Sequence, residues 1–124
     1  MITTFTRSMT DAEYLLFDQT ALVKHELYHS NLLEMPGGTV YHETLVMNLG
    51  FWLRNIMQEK QFKVFLSGLK LYTREGFFLY PDVLITNESF RNPLYSSAPI
   101  FIAEVLSPST RSFDMADKFI EYRN

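Results

Sequence analysis

The chain has 124 residues, of which 47% are apolar, 15% aromatic and 20% charged, a composition that builds a core rather than staying disordered. Its length suits one domain over residues 1–124, and its formal net charge of −3 gives no general attraction to nucleic acid, so any DNA contact must come from local features. With no cysteine there are no disulfides or thiolate metal sites, and with no signal-like start and no apolar run near the roughly 20 residues that span a bilayer the chain reads as cytoplasmic and not membrane-bound.

Thr10 and Asp11 are suited to cap a short helix over Ala12 to Phe17. Two apolar-alternating runs, Leu22 to Tyr28 and Asn31 to Met35, predict a hairpin turning at His29-Ser30. The breaker cluster "MPGG", Met35 to Gly38, is followed by Thr39, whose hydroxyl can cap a long helix with Leu45, Leu49, Trp52, Leu53 and Ile56 on one face. From Gln61 the period changes, and "FKVFLS", "LKLYT" and "FFLYPDVLIT", separated by Ser67-Gly68 and Arg74-Glu75-Gly76, predict consecutive strands. A polar loop over 87–97, a strand from Pro99 to Leu106 and a final helix from Ser112 to Tyr122 complete the reading.

Two carboxylates stand out. In "PIFIAEVL" apolar residues occupy both parities, which predicts a strand covered on both sides, and Glu104 shares a face with Ile102 and Leu106. An unpaired carboxylate there costs several kcal/mol, roughly, unless it is neutralised, paired or metal-bound. Asp82 interrupts "FFLYPDVLIT" on the face of Tyr80 and Leu84, and Pro81 before it removes a backbone donor, which predicts an edge or a bulge. Two acids on neighbouring strands offer hard oxygen ligands suited to Mg²⁺ or Mn²⁺, with water and substrate phosphate filling the other positions. The alternative is a pairing of each acid with lysine or arginine, or exposure at a strand end. In the final helix Asp114, Lys118 and Tyr122 recur at four-residue spacing and share a stripe, either facing the strand acids or forming a solvent pair of Asp114 with Lys118. A further option is an acid/base pair of Asp82 and Glu104 without metal, which needs their pKa values split by environment.

Taken in order, "MPGGTVYHE", "YPDVLIT", "EVLSPST" and the Asp114, Lys118, Tyr122 spacing resemble the Uma-two family of the PD-(D/E)XK restriction-endonuclease-like superfamily, over about Tyr14 to Asn124. The resemblance implies an α/β (α+β) fold with a mixed central sheet flanked by helices. It also implies a Mg²⁺- or Mn²⁺-dependent endonuclease that hydrolyses DNA phosphodiesters with activated water. Matched motif by motif, Asp82 is the acid of the Pro-Asp element and Glu104 the acid of the (D/E)XK element; both bind metal, with the Val105 backbone carbonyl as a third donor. Leu106 stands where the general pattern has lysine, and Lys118 on the following helix is its replacement. Glu43 or His42 takes the place of a further acid on the long helix; otherwise His42 is a partly buried ring and Glu43 a favourable charge at the helix amino terminus. The family pattern continues beyond Asn124 with a further strand and helix, so the expected core is short at its carboxyl end. The open sheet edge this leaves invites a homodimer, and a non-catalytic module acting through protein interaction is the competing reading.

Overall fold

The computed structural model describes residues 4–5, 9–106 and 118–123. Helix α1, Asp11–Thr20, starts at Thr10, whose hydroxyl accepts from the Glu13 N–H at 3.2 Å while the Glu13 carboxylate accepts from the Thr10 N–H at 3.0 Å. This reciprocal cap satisfies two donors that no helical carbonyl reaches. The helix runs three residues beyond the expected Phe17 and buries Tyr14 and Asp18.

The hairpin forms as expected. Strands β2, His25–Tyr28, and β3, Asn31–Glu34, pair antiparallel from His25↔Glu34 to Tyr28↔Asn31. His29 and Ser30 both take positive φ, 48° and 64°, which lets a two-residue turn match the strand twist. Strand β1, Thr4–Phe5, adds to β3.

Helix α2, Val40–Met57, is capped by Thr39, which accepts the His42 N–H at 3.1 Å. Its buried face differs from the one expected. Val46, Gly50 and Leu53 are buried, with Leu49 and Met57 packed beside them, whereas Leu45, Trp52 and Ile56 are exposed, Trp52 at 59%. The helix is turned so that Gly50 lies against strand β4, Lys63–Leu66. A Cβ at Gly50 would stand 2.5 Å from Leu66 Cδ2, so the missing side chain permits the close approach that decides which face is covered. A short 3₁₀ turn, Gln58–Lys60, links the two.

The run "FFLYPDVLIT" is not one strand. It divides into β6, Phe78–Leu79, and β7, Val83–Thr86, and the two halves join different sheets. Strand β5, Lys70–Tyr72, precedes β6, and β8, Tyr95–Ser96, lies within the polar loop. One sheet has the order β1-β3-β2-β6-β5-β8, antiparallel except for the parallel β5/β8 pair; the other is antiparallel, β4-β7-β9, with β9 spanning Phe101–Ala103. The mixed α/β content agrees with a restriction-endonuclease-like core, although the strands are shared between two sheets rather than gathered in one. Each sheet has its own apolar cluster: Tyr14, Leu27, Leu32 and Phe78 under the larger, and Val46, Leu53, Val83 and Ile85 between α2 and the smaller.

The break falls at Tyr80-Pro81-Asp82, so Asp82 does not share a strand face with Tyr80 and Leu84; Pro81 lacks the donor a continuous ladder needs. Nor is β9 covered on both sides. Phe101 is exposed, as are its flanks Ile100 and Leu106, and among the described residues β9 pairs only with β7. Glu104 follows the last residue of β9 instead of standing in mid-strand. The last described helix, α3, Phe119–Arg123, lies within the expected final helix; Asp114 lies outside the described residues.

Candidate active site at the seam of two sheets

Asp82 and Glu104 meet because of strand register. Strands β7 and β9 run antiparallel with Val83 opposite Ala103, so the next residue outward is Asp82 on one strand and Glu104 on the other. Asp82 Oδ2 accepts the Val105 N–H at 2.7 Å, which ties the two segments beyond their last strand pair. Val105 thus meets Asp82 through its N–H. His42 Nε2 lies 3.4 Å from the same Asp82 oxygen, and His42 Nδ1 lies 3.4 Å from Glu43 Oε1. His42 is the residue of this pair that reaches Asp82, while Glu43, with its side chain 60% exposed, stands behind it. Nδ1 is buried without an aligned hydrogen bond, so the Glu43 contact is one of proximity only.

Glu104 is held from the other side. Tyr122 Oη donates to Glu104 Oε1 at 2.6 Å, and Lys118 Nζ lies 3.5 Å from the same oxygen. The four-residue spacing of Lys118 and Tyr122 therefore does bring both onto one carboxylate, as their shared stripe predicts. Burial pushes the Glu104 carboxyl up from 4.5 to about 8. The Lys118 charge and the Tyr122 hydrogen bond pull it down, and the neighbouring Asp82 raises it by charge and hydrogen bonding.

One residue at the site was not singled out from the sequence. Glu26, on β2, is 1% exposed and places Oε2 2.7 Å from Lys118 Nζ, closer than Glu104 does. The same oxygen accepts the Tyr80 N–H at 2.6 Å, and the Tyr80 carbonyl faces Lys118 Nζ at 3.4 Å. Tyr80 also donates its hydroxyl to Asp18, whose Oδ2 pairs with Lys70 Nζ at 3.1 Å and whose Oδ1 accepts the His25 N–H at 2.9 Å. A polar chain thus runs from Asp18 and Lys70 through Tyr80 and Glu26 to Lys118 and the acids. In "HELYHS" Glu26 reads as one acid in a hairpin, and no neighbour in the sequence marks it.

Two carboxylates at adjoining positions form a hard-oxygen donor pair. Among the described residues no group of three His, Asp or Glu side chains is arranged to hold a metal ion unaided. Also among them, no helix is long and apolar enough to cross a membrane.

The sequence matches the family model Uma2, described as "Putative restriction endonuclease", over residues 11–124. It is 31% identical over 128 residues to the "uncharacterized protein sll1609" of Synechocystis sp., covering 99% of this chain and 72% of that protein. It is 26% identical over 117 residues to the "uncharacterized protein slr1290" of the same organism, covering 92% of this chain and 62% of that protein.

Proposed function

Since the chain belongs to the Uma2 family, we propose that it is an endonuclease that hydrolyses DNA phosphodiester bonds with the help of a divalent cation, Mg²⁺ or Mn²⁺. The observation that carries the reading is the convergence of Asp82 and Glu104, from the ends of β7 and β9, with Lys118 and Tyr122 on Glu104. The donor chemistry fits the ion: hard carboxylate oxygens suit Mg²⁺, and a pair of acids without a third protein ligand suits a cation that keeps several waters and takes substrate phosphate. Asp82 and Glu104 would hold it, with the Val105 carbonyl as a further donor. When bound, such an ion activates water and offsets charge on the phosphate.

The protein's own groups prepare that site. The Val105 N–H fixes the Asp82 carboxylate, and His42, 3.4 Å away, restricts it from the α2 side. Tyr122 holds Glu104 Oε1 by a short hydrogen bond. Lys118 is 1% exposed, so it acts through Glu104: its charge favours the ionised form that a cation needs.

Isothermal titration with MnCl₂ tests the reading. Asp82→Ala and Glu104→Ala are each expected to abolish measurable binding and DNA cleavage while the fold persists; variants that bind Mn²⁺ as the parent protein does would show that the acids are not its ligands. The competing reading, a nuclease-fold module that acts by binding another protein, is favoured by the exposed apolar residues of α2, Val40, Tyr41, Met47, Phe51 and Trp52. It would stand if the parent protein neither bound the ion nor cut DNA.

A further inference from the structure

We infer that Glu26 is a positioning residue that holds Lys118 away from a full ion pair with Glu104 and so keeps Glu104 available to a cation; this rests on the metal-dependent reading above. A lysine ammonium has three donors. Around Lys118 Nζ stand Glu26 Oε2 at 2.7 Å, the Tyr80 carbonyl at 3.4 Å and Glu104 Oε1 at 3.5 Å. The contact with Glu26 is the short, charge-assisted one, and the contact with Glu104 is at the limit of hydrogen bonding.

Glu26 is well placed to hold that position. It sits on β2, which is paired on both sides, with β3 and with β6. Its Oε2 is further fixed by the Tyr80 N–H. Glu26 and Lys118 are each 1% exposed, so little water screens their attraction. Without the Glu26 charge, the Glu104 carboxylate, 3.5 Å away, is within reach of the buried ammonium. Closing the 3.5 Å gap would convert a loose contact into a tight pair on Oε1, in competition with any cation at that carboxylate. Glu26 reaches the proposed ligand pair through the lysine.

The test uses Glu26→Gln, which keeps the shape and removes the charge. Two readouts apply: Mn²⁺ affinity by isothermal titration, and the Lys118 side-chain ammonium resonance in ¹⁵N-lysine NMR of the metal-free protein, assigned by its loss in Lys118→Met. Mn²⁺ binding is expected to weaken roughly 10- to 100-fold, the usual cost of losing a partner behind a ligand, and the ammonium resonance to shift. Adding Lys118→Met to Glu26→Gln, titrated at pH 9 to limit the protonation of Glu104 that loss of the lysine charge favours, is expected to recover part of the Mn²⁺ affinity, because no lysine remains to compete for Glu104; a purely structural role for Glu26 predicts no such recovery. Unchanged affinity with an unmoved resonance overturns the inference. If the parent protein binds no Mn²⁺, the metal reading falls separately, and the NMR comparison alone then decides whether Glu26 positions Lys118. Should Glu26→Gln not fold, Glu26→Asp retains the buried charge on a shorter arm; the same resonance is then expected to move by less, and an unmoved one overturns the inference.

Discussion

Raising the pH from 6 to 9 is expected to tighten Mn²⁺ binding strongly, because the ion must displace a proton from Glu104. Burial moves that carboxyl from 4.5 to about 8, and the opposing pull of Lys118 and Tyr122 does not offset it. With a midpoint near 8, roughly 1% of Glu104 is ionised at pH 6, 10% at pH 7 and 90% at pH 9. If only the ionised form binds, the dissociation constant falls about 90-fold across that interval, with one proton released per ion at the acid end. Isothermal titration in two buffers of different ionisation enthalpy measures both the affinity and the proton count. Stability without metal moves the opposite way. The raised pKa contributes stability that is fully present below pH 4.5 and is lost as pH climbs through about 8, so urea unfolding midpoints should fall over that window. Mn²⁺ at a hundred times its dissociation constant should return about 2.7 kcal/mol at pH 9. An affinity flat from pH 6 to 9, or one that follows a midpoint near 4.5, refutes the assignment of the proton to Glu104.

The remaining predictions concern the groups behind the acids. Tyr122→Phe removes a hydrogen bond that favours the Glu104 carboxylate, so the midpoint of the Mn²⁺ affinity profile should move to higher pH; a midpoint that stays or falls would show that Tyr122 does not act on Glu104. Asp18→Ala leaves Lys70 buried without its 3.1 Å partner and strips an acceptor from Tyr80 and from the His25 N–H, and should cost about 3–5 kcal/mol in urea unfolding; a loss below about 1 kcal/mol would mean that solvent reaches the pair.

Local chemistry was legible in the sequence wherever a few adjacent residues decide the outcome. The Thr10 and Thr39 caps, the His29-Ser30 turn and the long helix after Gly38 each follow from side chains within four positions of one another, and each is present. Asp82 and Glu104 were conspicuous as charges in apolar runs, and Lys118 and Tyr122 through their helical spacing. What could not be read is whatever depends on a distant segment. The buried face of α2 is set by Leu66 approaching Gly50, a contact across sixteen residues, and an apolar stripe containing Trp52 gave no hint of it. The division of "FFLYPDVLIT" between two sheets depends on partners at β2 and β5 for one half and at β4 and β9 for the other. Glu26 is the clearest case: its partner is 92 positions later in the chain, and nothing within the hairpin marks it.

The division of that strand also explains why the acids lie where they do. A continuous strand through Tyr80-Pro81-Asp82 would commit its backbone to neighbouring strands and send Asp82 to one face of a closed ladder. At the break, the Tyr80 backbone is free to bind the site instead: its N–H goes to Glu26 and its carbonyl faces Lys118, while its hydroxyl is fixed on Asp18. Pro81 then enters β7 with no donor left to satisfy, and Asp82 emerges opposite Glu104. The larger sheet, through β2 and the Tyr80 anchor, thereby sets the position of the lysine, and the smaller sheet, through the Val83↔Ala103 register, sets the spacing of the acids. Charge placement at this seam is a property of both sheets together, so a substitution such as Asp18→Ala, far from either acid in sequence, reaches the site through Tyr80, the residue two before Asp82.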